Sequence, residues 1–267
     1  MTQHKDRYKI TIMGCGNSAG TPTIGNYWGN CDPDNPKNRR MRPSVAIQSG
    51  DKSLIIDTGA DFKEQINLYN IDNIRGVLYT HAHSDHIAGI DELRVLRLRN
   101  KEHINIYSIA DTIDELERRF DYMFVQKAKI YPQVLKSNIL TPDDLNKTMD
   151  IDGIKFIPFE QDHGTCRTLG FRFGDIAYST DMVRLPESSF DELQGIKTWV
   201  VDAAGYKMES NLVHATLRDV IAMNERIGAK KIYLTHLTPS MDYDRLMNEL
   251  PDGFEPAYDG LVFDIGA

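Results

Sequence analysis

Short hydrophobic runs alternate with amphipathic segments along the whole chain, and this alternation predicts an α/β protein. The first half predicts strands over 8–14, 44–49, 53–59, 75–80 and 104–109, with helices over 61–69, 86–99 and 111–120. The second half repeats the plan, with strands over 153–159, 169–174, 176–181, 198–204, 231–236 and 260–265, and helices over 214–227 and 242–250. Two β-rich halves with helices at their flanks predict two packed sheets covered by helices, a four-layer αββα sandwich.

Residues 121–150 have the least regular pattern, and we predict there a helix and a loop able to lie over a site. No sequence repeat, low-complexity tract or linker divides the chain. Its 267 residues are enough for one large core, so residues 1–267 are predicted to form a single domain.

The composition argues against several partners. No apolar run approaches about 18 residues, and the polar N-terminus lacks the hydrophobic core of a secretory signal, so no membrane partner is expected. The three cysteines are odd in number and widely spaced, which predicts no disulfide framework and favours a reducing cytoplasm. The net charge of −8 argues against nucleic acid as a partner. The oligomeric state stays open, a homodimer included.

The stretch HAHSDH places three of the chain's eight histidines and one aspartate within six positions. His81 and His83 are two residues apart at the end of a predicted strand, so their side chains point to the same side. Asp85 and His86 follow in the turn and the first helical residue. Four ligands are too many for one ion with an open position, because a catalytic zinc commonly has three protein ligands. We therefore predict two ions, one held by each pair.

Three later strand ends supply further metal ligands. His163, Asp181 and His236 each stand where a hydrophobic strand ends, which is where sites form in α/β proteins. A carboxylate is able to bridge two cations, so Asp181 is predicted to lie between them. The predicted ligands are His81, His83 and His163 for one ion, and Asp85, His86 and His236 for the other. Burying such a cluster without metal would carry a large desolvation cost, which argues against coincidence.

The HxHxDH motif, followed by His, Asp and His at later strand ends, resembles the signature of the metallo-β-lactamase fold hydrolases. The resemblance covers nearly the whole chain, from MGCGNSAGTP to YLTHL. It implies the four-layer fold and hydrolysis at the metal site. Because this fold hosts lactamases, glyoxalase II thioesterases, nucleases, phosphodiesterases and flavodiiron oxidoreductases, the fold alone leaves the reaction open.

The N-terminal region narrows the resemblance to one branch. The loop GCGNSAGTP is similar to the opening loop of ribonuclease Z and of the phosphoribosyl cyclic phosphate phosphodiesterase. The cyclic phosphodiesterase carries a cysteine-rich structural zinc site in the next stretch, where this chain keeps only Cys31, so we expect no structural zinc. The resemblance implies cleavage of small phosphodiesters, such as cyclic ribose phosphates or nucleotide-like esters.

In these branches a histidine in the region of His214 lies beside the metals without binding them, which implies that it protonates the leaving oxygen. An unperturbed imidazole pKa of about 6.5 suits this role. Two divalent cations (zinc or manganese, with iron possible) would share a water and provide the hydroxide that attacks phosphorus. His214 and the ligand Asp85 are the predicted catalytic residues. Asp57 is predicted to support the histidines of HAHSDH from outside the metal site. From position alone, a helix-capping or surface role for His214 is equally good.

Two questions stay open at this point. Arg39, Arg40 and Arg42, with Lys37, form a basic stretch that is either a solvated loop or a clamp on a terminal phosphate. The alternative activities are a tRNA 3′-processing endonuclease, a thioesterase or lactonase, and a non-catalytic metal-binding protein. The acidic charge and the lack of a long Gly/Pro/Lys-rich insertion disfavour the nuclease. A glyoxalase-type thioesterase would add C-terminal helices, whereas this chain ends about thirty residues after His236.

Overall fold

The computed structural model describes residues 8–126 and 132–265, which form two mixed β-sheets with helices on their outer faces. The strands are β1 Tyr8–Gly14, β2 Ser44–Ser49, β3 Lys52–Ile56, β4 Ile74–Leu78, β5 Ile104–Ser108, β6 Leu135–Ile139, β7 Met149–Ile151, β8 Ile154–Asp162, β9 Arg167–Phe173, β10 Ile176–Ser179, β11 Thr198–Asp202, β12 Lys231–Thr235, β13 Phe254–Pro256 and β14 Val262–Ile265. The helices are α1 Phe62–Leu68, α2 Ser84–Ile87, α3 Leu93–Asn100, α4 Ala110–Arg119, α5 Asp121–Phe124, α6 Glu187–Leu193, α7 Leu217–Ile227 and α8 Tyr243–Glu249. Short 3₁₀ turns lie at Pro36–Asn38 and Ile90–Glu92.

Each sheet joins an antiparallel half to a parallel half. The first has the order β14-β1-β2-β3-β4-β5-β6 and the second the order β13-β12-β11-β10-β9-β8-β7. Strands β3 to β6 run parallel, and so do β10 to β13. Because the carboxyl ends of parallel strands meet at one edge, each sheet brings the loops after its parallel strands together there.

Residue alternation along the strands divides the apolar side chains between the two faces of each sheet. In β3, Leu54 and Ile56 belong to the core that both sheets share, whereas Ile55 packs on the helix side with Phe62 of α1. On the second sheet, Phe190 of α6 and other residues of α6 and α7 join the packed core. The predicted four-layer α/β sandwich is therefore confirmed.

Two predicted helices differ from the structure because local backbone contacts interrupt them. The helix expected over 86–99 is divided into α2, a 3₁₀ turn and α3, since the Gly89 amide donates to Thr58 O at 2.8 Å instead of continuing the helix. The helix expected to open at His214 begins at Leu217, because Thr216 caps it: Thr216 Oγ1 accepts from Asp219 N, and the Asp219 carboxylate accepts from Thr216 N.

The helix-and-loop prediction for 121–150 misses two strands in the described part of that segment. After the single turn of α5 the chain adds β6 to the outer edge of the first sheet and β7 to the outer edge of the second. Only Leu135 of β6 is buried, so this edge strand lacks the alternation of apolar and polar residues that would predict a strand. Residues 127–131, also covered by that prediction, lie outside the described residues.

Candidate metal centre

Four strand ends bring the predicted ligands into two adjoining clusters. His81 and His83 follow β4, His163 follows β8, and Asp181 follows β10, so that one donor atom of each lies within 4.8 Å of the others. The second cluster has the same closeness and consists of Asp85, His86, Asp181 and His236. Asp181 belongs to both clusters, as expected of a bridging carboxylate. The structure thus brings together all seven predicted metal ligands in the predicted grouping.

The corner that carries HAHSDH is fixed by close backbone packing against the loop after β3. Thr58 N donates to His86 O at 2.7 Å. A Cβ atom on Gly59 would lie only 2.1 Å from the carbonyl oxygen of Asp85, so this approach requires glycine. The close contact holds the first turn of α2 against the end of β3, and with it both α2 side chains of the second cluster.

Three residues of the site have a left-handed backbone that non-glycine residues rarely adopt. The φ angles are 61° at Asp57, 50° at Asp181 and 57° at His236, each directly after or shortly beyond a strand. Such conformations cost about 1–3 kcal/mol each and persist where surrounding contacts impose them. Because three such residues lie at this one site, we infer that the surrounding contacts impose a strained backbone there. This backbone directs the three side chains into the clusters.

Hydrogen bonds orient the histidine rings from outside the clusters. His86 Nδ1 lies 2.7 Å from Asp57 Oδ2, and Asp57 also accepts from the amide and hydroxyl of Thr80 at 2.8 Å each. His163 Nδ1 donates to the carbonyl oxygen of Val213. In both rings this leaves Nε2 for the cluster: His86 Nε2 lies 3.1 Å from Asp181 Oδ2, and His163 Nε2 lies 3.7 Å from Asp181 Oδ1.

The buried donors of the clusters fit bound cations. Among the described residues, no donor or acceptor forms a hydrogen bond of good geometry with the buried Nε2 atoms of His81 and His86, which is costly unless another group satisfies them. Burial, reinforced by the neighbouring His86, lowers the pKa of His81, and burial lowers that of His163. Both imidazoles are therefore neutral at pH 7, the form that binds metal.

The buried carboxylates around His86 also favour bound cations at this site. Asp57, Asp85 and Asp181 surround His86, and none of the three has a lysine or arginine ion pair within the described part of the chain. Burial disfavours a charge on His86, yet the three carboxylates raise its pKa well above the usual value. A proton on His86 therefore offsets part of the negative charge of the three carboxylates. A divalent cation bound at the same place would offset more of this charge.

His214 lies beside the clusters and pairs with a buried aspartate. Its ring stacks on His236 with centroids 4.8 Å apart, and its Nδ1 lies 2.7 Å from Asp202 Oδ2. Asp202 is fully buried at the end of β11 and also accepts from the amides of Met182 and Ala204. Asp202 was missed in the sequence, although an aspartate closing the hydrophobic strand TWVVD is the same signal that identified Asp181.

The predicted phosphate clamp is wrong for Arg40, which is buried, and stays a prediction for Arg42. Arg40 is 2% exposed, and its guanidinium donates to the carbonyl oxygens of Met241 at 2.7 Å and Thr238 at 3.3 Å. Arg42 forms an ion pair of 2.8 Å with Asp61. Arg39 is exposed and lies over the ring of Trp28, so its phosphate-binding role stays a prediction.

The N-terminal loop is held beside this centre by the segment after β12. Asn17 N donates to Leu237 O at 3.0 Å, and Leu237 N donates to Cys15 O at 2.8 Å, directly after His236. Cys31 is buried, and its Sγ donates to the carbonyl oxygen of Pro239. The loop that suggested the branch of the family therefore contacts the residue next to a candidate metal ligand.

Comparison with known proteins agrees with this site. Residues 52–237 match the model of the beta-lactamase superfamily domain. The chain therefore belongs to the beta-lactamase superfamily, and the fold predicted from the HxHxDH motif is confirmed. None of the helices in residues 8–126 and 132–265 combines the length and hydrophobicity that crossing a membrane requires.

Three similar proteins bear on the fold or on the branch of the family. The crystal structure of a diphosphatase from the PhnP family is 32% identical, covers 97% of both chains and superposes with a TM-score of 0.84, which matches the predicted branch. The short form of human tRNase Z is 17% identical over 97% of this chain and 100% of its own, with a TM-score of 0.69, and shows the fold alone. An octanoyltransferase of Porphyromonas gingivalis (strain ATCC BAA-308 / W83) is 26% identical over 255 residues. The chain spans about half of that relative, since the match covers 95% of this chain and 51% of the relative.

Proposed function

We propose that this superfamily hydrolase cleaves small phosphodiesters, such as cyclic ribose phosphates or nucleotide-like esters, with two divalent cations. The observation that carries the proposal is the position of the His214–Asp202 pair beside two ligand clusters that share Asp181. The 32% identity to a PhnP-family diphosphatase supports phosphorus as the atom attacked. The nitrogen and oxygen donors suit zinc, manganese or iron.

In this proposal the bound cations and the residues of the chain have separate roles. Bound at the two clusters, the cations would lower the pKa of a shared water and neutralise the charge that develops on the phosphoryl oxygens. The chain keeps their ligands in place: Asp57 holds His86, Thr80 contacts both His81 and Asp57, and the carbonyl of Val213 fixes the ring of His163. Such outer contacts typically change metal affinity or activity 10–100-fold, roughly, when they are removed.

His214 supplies the proton for the leaving group. Its Nδ1 is held by Asp202, so Nε2 is the atom that donates to the departing oxygen. The buried Asp202 carboxylate stabilises the imidazolium before donation and orients the ring throughout, as the aspartate of a catalytic triad does. Asp85, within 3.4 Å of His236 Nε2, belongs to the cluster next to this ring.

A substrate panel with metal-depleted and reloaded protein tests the proposal. We expect two ions per chain by elemental analysis, cleavage of bis-p-nitrophenyl phosphate or a 2′,3′-cyclic nucleotide, and negligible action on nitrocefin or lactoylglutathione. One ion or none after reloading with manganese and with zinc would overturn the dinuclear proposal. Lactam or thioester hydrolysis without diesterase activity would overturn the phosphodiester assignment.

The octanoyltransferase relative favours a second candidate, the hydrolysis of an acyl thioester. Its similarity covers nearly this whole chain, so an octanoyl thioester belongs in the same panel. A thiolate is a good leaving group without prior protonation, so this activity would make little use of the His214–Asp202 pair. Efficient octanoyl thioester hydrolysis that survives His214→Ala would favour this second candidate over the first.

A further inference from the structure

Two fully buried polar residues, Gln161 and Thr168, contact the backbone at Asp181, which both ligand clusters share. They are cross-strand partners in β8 and β9. Gln161 Nε2 donates to Thr168 Oγ1 at 3.1 Å, and Thr168 Oγ1 donates to the carbonyl oxygen of Asp181 at 3.0 Å. Gln161 Nε2 also donates to the carbonyl oxygen of Thr180 at 3.0 Å. The two side chains therefore bond both carbonyl oxygens that flank the Cα atom of Asp181.

These contacts fix the left-handed backbone of Asp181. The Thr180 carbonyl belongs to the peptide plane before the Cα atom of Asp181, and the Asp181 carbonyl belongs to the plane after it. Because peptide planes are rigid, their relative orientation defines φ and ψ of this residue. In the second plane, Met182 N also donates to Asp202 Oδ2 at 3.1 Å. With both planes held, the φ of 50° is imposed by groups outside the residue, as such conformations require.

Gln161 is a poor choice for stability alone. Its side chain has no exposed surface, and among residues 8–126 and 132–265 no group forms a hydrogen bond with its buried Oε1. An unpaired buried polar atom is destabilising, and an apolar side chain of similar size would avoid this cost. A Cβ atom on Gly170 would lie 2.6 Å from Gln161 Oε1, so β9 leaves room for the carboxamide. The residue fits a place where the donors of its Nε2 are needed.

The same part of β9 also holds the corner that carries HAHSDH. Leu169, the residue after Thr168, donates its amide to the carbonyl oxygen of Thr80 at 3.0 Å, and His81 follows Thr80 in the chain. Adjacent residues of β9 thus bond the chain after β4 in the first sheet and the chain after β10 in the second. They hold Asp181 at a fixed distance from the histidine corner.

We propose that Gln161 and Thr168 are positioning residues that keep the Asp181 carboxylate between two cations, so that loss of either donor weakens both metal sites together. The inference rests on the two-cation part of the proposed function, because a shared carboxylate matters only where two ions bind. A change in φ or ψ of Asp181 would move its carboxylate relative to both clusters at once.

The affinities of Thr168→Val and Gln161→Met for zinc and for manganese, measured by competition with a chelator, test the inference. Both changes nearly keep the size of the side chain and remove its donor. Each should weaken the binding of both ions about 10–100-fold, as is typical when a contact that supports a metal ligand is removed. Thr168→Ser, which keeps the hydroxyl, should retain the wild-type affinities. In Asp181→Ala, adding Thr168→Val should cause no further weakening, because its effect passes through the missing carboxylate.

The matched control is Ser53→Ala, at the end of β3 away from Asp57. Ser53 is 1% exposed, and its hydroxyl donates to the carbonyl oxygen of Asp72 at 2.8 Å. The change therefore removes the same kind of bond at a distance from the clusters. It should lower the thermal stability of the metal-free protein and leave both metal affinities unchanged.

Wild-type affinity for both ions in Thr168→Val and Gln161→Met would overturn the inference, and so would equal weakening by Thr168→Ser and Thr168→Val. Because the two variants lose different donors, either one decides the outcome if the other does not fold. The ion count of the wild type tests the proposed function separately. Fewer than two ions would overturn the dinuclear proposal and the inference with it, whereas two ions with unchanged variant affinities would overturn the inference alone.

Discussion

His214 Nδ1 lies 2.7 Å from Asp202 Oδ2, in a pair formed by two residues that flank the loop after β11. Asp202 has no exposed surface, and two backbone amides fix its carboxylate. The imidazole is therefore held at one nitrogen while Nε2 remains available to a substrate. A ring that is oriented and kept protonated in this way is suited to donate a proton at a defined position.

The pair predicts how activity depends on pH. Burial lowers the pKa of His214, but the hydrogen bond and charge of Asp202, with further carboxylates, outweigh burial and raise the pKa to about 9. The proton donor is present below this pKa and is lost as the pH rises through it. In Asp202→Asn burial prevails and the pKa falls, so the alkaline loss of kcat/KM should move to lower pH.

The measured quantity is the displacement between the two pH profiles, because bound cations would lower the pKa of His214 in both proteins alike. Asp219→Asn is the matched control: it makes the same substitution in the cap of α7, where Asp219 bonds Thr216 and not His214. Its profile should stay where the wild-type profile lies. Coincident alkaline limbs for Asp202→Asn and the wild type would show that Asp202 does not set the protonation of His214.

His214→Ala should keep both metals and lose turnover, by roughly 10²–10⁴-fold as for a positioned general acid. The loss should depend on the leaving group, because a ribose alkoxide needs a proton to depart and p-nitrophenolate does not. Kinetics on a cyclic nucleotide and on the nitrophenyl ester measure this difference. Equal losses on both substrates would indicate a positioning role, and loss of metal would make His214 a ligand.

Asp181→Ala and Asp85→Ala should differ in metal content. Asp181 belongs to both clusters, whereas Asp85 belongs to one, so the first change should weaken both sites and the second mainly one. Elemental analysis at increasing chelator concentration would show two ions lost together in Asp181→Ala and one after the other in Asp85→Ala. The same stepwise loss in both variants would contradict the shared position of Asp181.

The sequence predicted the clusters well because their residues stand at strand ends. His163, Asp181 and His236 each close a hydrophobic run, and the carboxyl ends of strands in an α/β fold meet at one place. Position along the chain therefore carried spatial information for them. For Asp202 the same information is present in the sequence. The seven predicted ligands already fill two metal sites, however, so the strand-end position alone gives this aspartate no role.

Other features depend on contacts that the sequence does not display. Strand β6 is an edge strand with one buried residue, so no alternation marks it. The start of α7 at Leu217 follows from the capping box of Thr216 and Asp219, a local signal that the sequence itself contains. Arg40 looked like part of a solvated basic stretch because its partners, Thr238 and Met241, are about two hundred residues away.

Arg40 and Arg39, neighbours in the sequence, should therefore behave differently when changed to alanine. Arg40→Ala removes four hydrogen bonds of the guanidinium, to Met241 O, Asn38 Oδ1, Thr238 O and Cys31 Sγ. Thr238 O keeps a hydrogen bond from Met241 N, and Asn38 Oδ1 keeps one from Tyr243 N. The free energy of unfolding should therefore fall by about 1–3 kcal/mol, the cost of about one buried group that loses its partner. Urea denaturation of the metal-loaded protein measures this change.

Arg39→Ala is the matched comparison, because Arg39 is exposed and its guanidinium lies over the ring of Trp28, 5.1 Å from the ring centroid. Such an exposed contact contributes about 0.5–1 kcal/mol, so stability should change little. If Arg39 also binds a terminal phosphate, its loss should raise KM for a phosphorylated substrate and leave KM for bis-p-nitrophenyl phosphate unchanged. An Arg40→Ala protein as stable as the wild type, with a raised KM, would restore Arg40 to the substrate site and contradict the structural role assigned to it.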